Sequence, residues 1–230
     1  MERIFAFLKA FTPRRRVVYL LGTLLLGCGI AMNTKTQLGI APILSVAWNL
    51  SELLGIPFSL MSFFYYCFLI LLQLLLLRRE FQQVQWLQLL ASFFTSFFIG
   101  VFGRVLPTAV SPLGRGAMLL GAILLTGSGI ILSVGARFVP NPGDGMAAAI
   151  ARRTGKSLGL SKNILDISSF LSKNILDISS FLIAAALGFI FWGRLMGVGV
   201  GTVVTMLLTG RVVALLQKPL LRLSGLDREE

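Results

Sequence analysis

The stretch that decides the fold is Arg137-Phe-Val-Pro-Asn-Pro-Gly-Asp-Gly-Met-Ala-Ala-Ala-Ile-Ala-Arg-Arg-Thr-Gly155. Its first nine residues contain two prolines, two glycines and one acid, in a chain that otherwise consists of long hydrophobic segments. The residues from Met146 to Ile150 then predict a short helix that ends before Gly155, because glycine commonly follows the last turn of a helix. A proline-started short helix between hydrophobic segments is the pattern that organises the rest of the chain.

A weaker copy of this pattern lies one hundred positions earlier, at Gln37-Leu-Gly-Ile-Ala-Pro-Ile-Leu-Ser-Val-Ala-Trp-Asn-Leu-Ser-Glu-Leu-Leu-Gly55. Three residue identities recur at that offset: Pro42 and Pro142, Ala47 and Ala147, Gly55 and Gly155. The sequence Gly27-Cys-Gly29-Ile30 recurs at the same offset as Gly127-Ser-Gly129-Ile130. These matches predict a chain of two related halves.

The composition predicts an integral membrane protein. Of 230 residues, 56% are hydrophobic and only 13% are charged, whereas soluble domains are nearer a quarter charged. The net charge of +12 is therefore not read as a nucleic-acid surface, because the basic residues gather at segment ends. There is no histidine, and Cys28 and Cys67 both lie in apolar runs, so neither a metal site nor a disulfide framework is expected.

Six apolar windows are long enough to be membrane spans. They cover residues 17–32, 57–77, 84–106, 115–134, 160–192 and 196–216. The two short helices, 42–54 and 142–154, would each be about 20 Å long, which is less than the hydrocarbon core of about 30 Å. We therefore expect them to be re-entrant or interfacial.

The distribution of Lys and Arg predicts the orientation, because cytoplasmic loops are enriched in both. With six spans and the N-terminus in the cytoplasm, few basic residues remain outside: Lys35, Arg104, Arg115 and Arg194. Both termini are therefore predicted to be cytoplasmic, in the plasma membrane. Residues 1–16 are expected to form a cytoplasmic amphipathic lead before an uncleaved first span, and residues 224–230 a cytoplasmic tail.

Three spans in each half imply that the second half, residues 111–223, inserts upside down relative to the first half, residues 17–110. The predicted fold is therefore all-α, with six transmembrane helices arranged as two inverted three-helix repeats. Each repeat carries one short proline-started helix. This arrangement is found in many transporters.

An 11-residue sequence, Ser-Lys-Asn-Ile-Leu-Asp-Ile-Ser-Ser-Phe-Leu, occurs twice in tandem, at residues 161–171 and 172–182. It makes the fifth window too long to be accommodated by tilt. Because Ile183 onward stays in register with the second copy, we expect residues 172–182 to occupy the membrane and residues 161–171 to project into the cytoplasm. A slide in the opposite direction and a looped-out segment are the alternatives.

The glycine-rich first span, the Leu38-Gly39-Ile-Ala-Pro42 elbow, the Asn141-Pro-Gly-Asp144 elbow and the closing Gly197-Val-Gly-Val-Gly201 stretch resemble the YczE/YitT-type bacterial membrane proteins. The resemblance covers nearly the whole chain apart from one copy of the repeat. It implies a multi-pass protein of the bacterial plasma membrane whose function is poorly defined. It supplies no catalytic residues.

The second elbow has two interpretations. A short helix whose N-terminus lies near the membrane midplane offers free N–H groups and a positive dipole end, so Asn141 and Asp144 are candidates for binding a solute, cation or proton. Capping alone is the other interpretation, with Asn141 as N-cap, Pro142 at the first position, followed by Gly143, and Asp144 as the first-turn acid. Arg137 would be a partner for Asp144 in a structural ion pair.

Three further candidates for solute binding precede or line the first elbow: Asn33, Lys35 and Pro42. For Lys35, snorkelling to the outer interface is the alternative. Asp177 is a candidate because an ionisable residue within a span suggests function, although an ion pair with Lys173, four residues before it, is the structural alternative. Gly27, Gly29, Gly127 and Gly129 are expected to allow close helix packing.

The function predicted is a small secondary transporter or channel-like permease for a small polar or ionic solute, with the site between the inverted repeats. In that case Pro42 and residues 141–144 should converge on one polar cavity together with Asp177. The alternative is a non-transporting scaffold or regulator that binds a partner or anionic lipid through a basic cluster. No enzyme is expected, because no nucleophile–base pair is visible, and no cofactor is expected. Membrane lipids and a small polar solute are the expected partners, nucleic acid is not, and homo-oligomer formation is left open.

Overall fold

A computed structural model describes residues 12–153 and 167–226. Within these ranges every regular element is helical. The α-helices are α1 (Pro13–Thr34), α2 (Pro42–Leu54), α3 (Phe58–Leu77), α4 (Gln88–Val105), α5 (Pro112–Gly135), α6 (Pro142–Arg153), α7 (Ile167–Trp192) and α8 (Val200–Ser224). Two short 3₁₀ helices, Arg78–Glu80 and Gln83–Leu87, connect α3 to α4.

Six of these helices are long and apolar enough to cross a membrane, which confirms the prediction of a multi-pass helical membrane protein. The side-chain distribution on α3 illustrates why. Its exposed positions include Phe64, Phe68, Leu71 and Leu75, whereas its buried face carries polar side chains such as Gln73. A helix that is apolar outside and partly polar inside suits a lipid surround.

Several helix boundaries differ from the predicted windows. Helix α1 begins at Pro13, where the Thr12 hydroxyl accepts a hydrogen bond from the backbone N–H of Arg15 at 3.4 Å. A proline at the first position and a threonine N-cap favour a start here, so the basic triplet belongs to the helix and not to the lead. Helix α8 continues to Ser224, beyond the predicted end at residue 216.

Helix α7 is described from Ile167 to Trp192. Residues 1–11 and residues 161–166 of the first copy lie outside the described ranges. The placement of residues 172–182 in the membrane and of residues 161–171 in the cytoplasm therefore stays a prediction.

Helices α1 and α5 form the most extensive interhelical contact. A Cβ atom placed on Gly129 would lie 2.5 Å from the backbone nitrogen of Leu26, and one on Gly29 would lie 2.7 Å from the backbone nitrogen of Thr126. Gly22 is equally tight against Ser133. The two backbones therefore touch, as small residues allow within membranes.

Helices α4 and α8 pack on the outer sides of this central pair. Gly27 of α1 faces Phe98 of α4, and Gly127 of α5 faces Val212 of α8. The glycines one hundred positions apart thus face the last helix of their own half.

The two short helices cross between the halves: α2 packs against α7, and α6 packs against α3. The connection that precedes each of them contains a non-glycine residue in the left-handed region, Gln37 with φ 58° and Arg137 with φ 53°. These residues also lie one hundred positions apart. Positive φ is uncommon outside glycine, so the two connections make the same unusual turn.

Replacing Gly129 by alanine tests the close crossing of α1 and α5. The added methyl group would overlap the α1 backbone, and overpacking of this kind costs about 1–3 kcal/mol. We expect a lower temperature of thermal unfolding for the purified protein in detergent. Gly116→Ala is the matched control in the same helix, because a methyl group added there would have no neighbouring atom within 4 Å. That change should be neutral or stabilising by about 0.5–1 kcal/mol, and equal behaviour of the two variants would contradict the crossing.

Candidate functional site

A cavity of about 90 Å³ lies between the two short helices and the central helix pair. We call it the central cavity. It is lined by Leu26, Ile30, residues 41–44, Tyr66, Thr126, Ile130, Asn141, Gly143, Asp144, Lys173, Asn174, Asp177, Thr205, Met206, Thr209 and Gly210. All of these residues are buried or half-buried.

The predicted candidates Pro42, Asn141, Asp144 and Asp177 all line the central cavity. The N-terminal ends of α2 and α6 therefore face one space and do not lie at opposite surfaces. Leu26 and Ile30 of α1 and Thr126 and Ile130 of α5 form the wall beside the helix crossing. The cavity thus combines contributions from both halves of the chain.

The N-terminus of α6 is capped within the chain. The Asn141 side-chain oxygen accepts a hydrogen bond from the Gly143 N–H at 3.1 Å, and the Asn141 carbonyl accepts one from the Gly145 N–H at 2.8 Å. Asp144 lies in the first turn, where a negative charge offsets the helix dipole. The Asn141 side-chain nitrogen is buried and forms no hydrogen bond within the described residues.

Lys173 and Asp144 form an ion pair across the central cavity, with 3.1 Å between the ammonium nitrogen and a carboxylate oxygen. Their side chains are 28% and 19% exposed. Lys173 also attracts the carboxylate of Asp177, its alternative partner on the same helix, but its close contact is with Asp144. That contact occupies the carboxylate for which the sequence suggests Arg137 as a partner. Helices α6 and α7 pack against each other, and this packing brings Lys173 next to Asp144 although the two residues are far apart in sequence.

Asp177 lies one helical turn beyond Lys173 and is only 6% exposed. Within the described residues its carboxylate forms neither an ion pair within 4 Å nor a hydrogen bond. A buried carboxylate without a partner is costly, so this group is the least satisfied charge at the cavity.

The N-terminus of α2 reaches the cavity without a capping side chain. Its N-cap residue is Ala41, Pro42 occupies the first position, and the first turn contains no acidic residue. The positive end of the α2 dipole is therefore uncompensated, in contrast to that of α6.

Two buried glutamines hold α6 in place. Gln73 of α3 and Gln88 of α4 exchange two hydrogen bonds of 3.1 Å, and the Gln73 amide also donates to the Pro142 carbonyl at 3.2 Å. Both side chains are fully buried. Polar side chains of this kind commonly connect helices in membranes, and these two fix the start of α6 against the first half.

A second cavity of about 880 Å³ lies at the end of the bundle where α1, α4 and α7 end. We call it the vestibule. It is lined by Lys35, Gln37, Glu52, Arg104, Thr108 and other residues, many of them exposed. Lys35 therefore belongs to the vestibule and not to the central cavity.

The first elbow separates the two cavities. Gly39 and Ile40 line the vestibule, while the next residue, Ala41, lines the central cavity. Two backbone hydrogen bonds hold the elbow to the segment before α8 and to the first turn of α8. The Ile40 N–H donates to the Gly197 carbonyl at 2.8 Å, and the Gly201 N–H donates to the Leu38 carbonyl at 2.7 Å.

Asn33 lies beside the central cavity without lining it. Its side-chain nitrogen donates to the Thr205 hydroxyl at 3.3 Å, and Thr205 lines the cavity. The Asn33 side-chain oxygen is buried and unpaired within the described residues. Asn33 thus contacts the central cavity only indirectly, by holding the hydroxyl of Thr205.

Several cavity residues were not predicted from the sequence, namely Tyr66, Asn174, Thr205 and Thr209. Their types are common in membrane helices, so composition does not mark them. One signal was available: Thr205 and Thr209 are four positions apart on one face of α8, and both are buried.

A model of a family of unknown function, DUF6198, matches residues 13–172 and 169–218. The two matched segments meet at the junction between the two copies of the 11-residue sequence. No curated protein and no solved structure shows significant similarity to the chain.

The ion pair between Lys173 and Asp144 can be tested by a double-mutant cycle. Lys173→Met leaves a partly buried carboxylate without its partner, so we expect destabilisation of about 1–3 kcal/mol. Adding Asp144→Asn should recover part of this loss, because the unpaired charge is then removed. Thermal unfolding in detergent measures both effects. Arg153→Met, at the exposed end of α6, is the control for loss of a basic residue, and additive effects of the two changes would exclude the pair.

Removal of one 11-residue copy is a second test. Deleting either copy gives the same sequence, in which Lys, Asn and Asp keep their register with Ile183. Eight residues would then connect Arg153 to that lysine, a span of up to about 27 Å when extended. We expect the shortened protein to remain monodisperse and to unfold at a similar temperature. Aggregation or a large drop in unfolding temperature would show that both copies are needed.

Proposed function

The chain belongs to this family of unknown function, DUF6198, and we propose that it is a small secondary transporter or channel-like permease for a small polar or ionic solute. The observation that carries the proposal is the convergence of the α2 and α6 N-termini with Asp177 on one central cavity. Half-helices whose N-termini face a central cavity are a recurring way of binding solutes in membrane transporters. The wall of this cavity is mainly apolar, and its polar groups are few.

We further propose that the two halves are inverted repeats with the cavity at their interface. The support is the repetition of contacts at an offset of one hundred residues. Gly29 meets Ala122 and Thr126, and Gly129 meets the residues at the corresponding positions of α1, Gly22 and Leu26. The exchange of short helices, α2 onto α7 and α6 onto α3, follows the same symmetry.

The vestibule and the central cavity suggest how such a transporter would work. Only the first elbow lies between them, and its backbone is tied to residues 197–201 by two hydrogen bonds. In our proposal the two halves of the chain rock against each other. This movement separates the first elbow from residues 197–201 and connects the central cavity to the vestibule. The opposite movement would open it toward the start of α7.

The proposed location is the bacterial plasma membrane, with both termini in the cytoplasm. This agrees with the resemblance to YczE/YitT-type proteins. The orientation is supported by the basic residues, because those at the end of the bundle that carries both termini outnumber those at the vestibule end. The basic residues at the first end are Arg14, Arg15, Arg16, Arg78, Arg79, Arg137, Arg152, Arg153, Lys218 and Arg222.

A non-transporting scaffold is less well supported. That function needs no internal polar space, and a filled bundle would serve it better. The buried cavity with an unpaired carboxylate costs stability, which a scaffold has no reason to retain.

Alternating access can be tested without knowing the solute. Thr209 lines the central cavity and is buried, and cysteine is close to threonine in size. We expect Thr209→Cys, with Cys28 and Cys67 replaced by alanine, to react with a membrane-impermeant thiol reagent from either face of oriented vesicles. Reaction from both sides requires that the cavity opens to each side, either alternately as in a transporter or together as in a channel.

Two control positions define the limits of this assay. Arg104→Cys in the vestibule should react from one side only, and Leu75→Cys on the lipid-facing surface of α3 should not react. Labelling of Thr209→Cys from a single side, or from neither side, would rule out transport through this cavity.

A further inference from the structure

The charged side chains at the central cavity are Asp144, Lys173 and Asp177. Two of them neutralise each other, since Lys173 and Asp144 are 3.1 Å apart. Asp144 also offsets the positive end of α6, whose first turn it occupies. The three side chains together therefore carry one net negative charge.

That negative charge is the Asp177 carboxylate. It is 6% exposed, lines the cavity and forms no hydrogen bond and no ion pair within 4 Å among the described residues, although the ammonium group of Lys173, one turn earlier, attracts it. Ionisable groups within a membrane span face a polar partner or a functional site. A cationic group of a ligand would supply the partner that the chain does not.

The positive N-terminal end of the α2 dipole also has no negative side chain next to it in the helix. The N-terminus of α2 lines the same cavity, Ala41 provides no capping side chain, and no acidic residue follows in the first turn. One backbone N–H of this first turn, that of Ile43, has no hydrogen bond within the described residues, because Pro42 has none and those of Leu44 and Ser45 donate to the Ala41 carbonyl. That N–H and the positive helix end favour an anionic group. The cavity therefore presents one free positive and one free negative feature, which together suit a dipolar ligand.

The size of the cavity limits this ligand. A cavity of about 150 Å³ holds a benzene ring, so a cavity of about 90 Å³ favours a ligand smaller than benzene. Leu26, Ile30 and Ile130 form an apolar wall. This wall offers a ligand no hydrogen-bonding side chain.

Resting on the proposed transport function, we propose that the central cavity binds a small zwitterion of the size of glycine. Its ammonium group binds Asp177, and its carboxylate binds the N-terminus of α2.

Equilibrium binding to the purified full-length protein tests this proposal with three probes: glycine, methylammonium and acetate. The last two each carry one of the two charges of glycine. We expect glycine to bind about tenfold more tightly than either, since each charged contact contributes more than the 1.4 kcal/mol that corresponds to a factor of about ten. Asp177→Asn should reduce glycine binding by at least about tenfold.

Matched variants separate binding from folding. Asp166→Asn changes the identical position of the first copy, outside the described residues, and should leave glycine binding unchanged. Ala41→Asp places a negative charge at the N-cap of α2, where aspartate favours the helix. It should weaken glycine binding more than the uncharged Ala41→Asn does, while leaving methylammonium binding intact.

Three results would overturn the proposal: methylammonium binding as tightly as glycine, acetate binding as tightly as glycine, or no binding of glycine. The first would make the cavity a cation site and the second an anion site. None of these results bears on thiol labelling of Thr209→Cys from both faces. Failure of the ligand class can therefore be distinguished from failure of the transport function.

Discussion

The contact between the backbones of α1 and α5 is the constraint on which the rest of the bundle depends. Lipid chains are as apolar as leucine, so helices in a membrane gain little from burying side chains and associate where small residues allow close approach. Gly22, Gly29 and Gly129 provide that approach. The residues next to this crossing, Leu26, Ile30, Thr126 and Ile130, then form the wall of the central cavity. The same crossing therefore joins the halves and determines where the cavity lies.

The two elbows must satisfy their backbone groups without water, because unpaired donors and acceptors are expensive in a membrane. They do so differently. The first elbow pairs Leu38 and Ile40 with residues 197–201 through backbone hydrogen bonds. In the second, Gln73 donates to the Pro142 carbonyl and the Tyr19 hydroxyl donates to the Val139 carbonyl at 3.2 Å. At the second elbow, side chains from neighbouring helices thus replace the backbone pairing.

Much of this architecture was predictable from local patterns. Apolar length gave six spans, and the start of each short helix followed from Pro42 and Pro142. The recurrence of Gly27 and Gly29 as Gly127 and Gly129 indicated close helix packing, which the structure shows between α1 and α5. The partner of Asp144 was not predictable, because an ion pair between α6 and α7 depends on how the helices pack, whereas spacing along one helix favoured Asp177 for Lys173. Tyr66 and Thr205 were missed for the same reason: residues of ordinary type acquire a role only where the fold brings them together.

The difference between the two short helices is what makes the cavity chemically useful. If both N-termini were capped and carried a first-turn acid, their dipoles would be neutralised and Asp177 would stand alone as an anionic group. If neither were capped and neither carried an acid, Lys173 would lose Asp144 and Asp177 would be the remaining carboxylate to offset it. The chain instead neutralises α6 with Asn141, Asp144 and Lys173, while α2 has no capping side chain and Asp177 forms no ion pair within 4 Å among the described residues. One positive and one negative feature therefore line a single small cavity, and that charge separation, more than the presence of a helix N-terminus, favours a dipolar ligand.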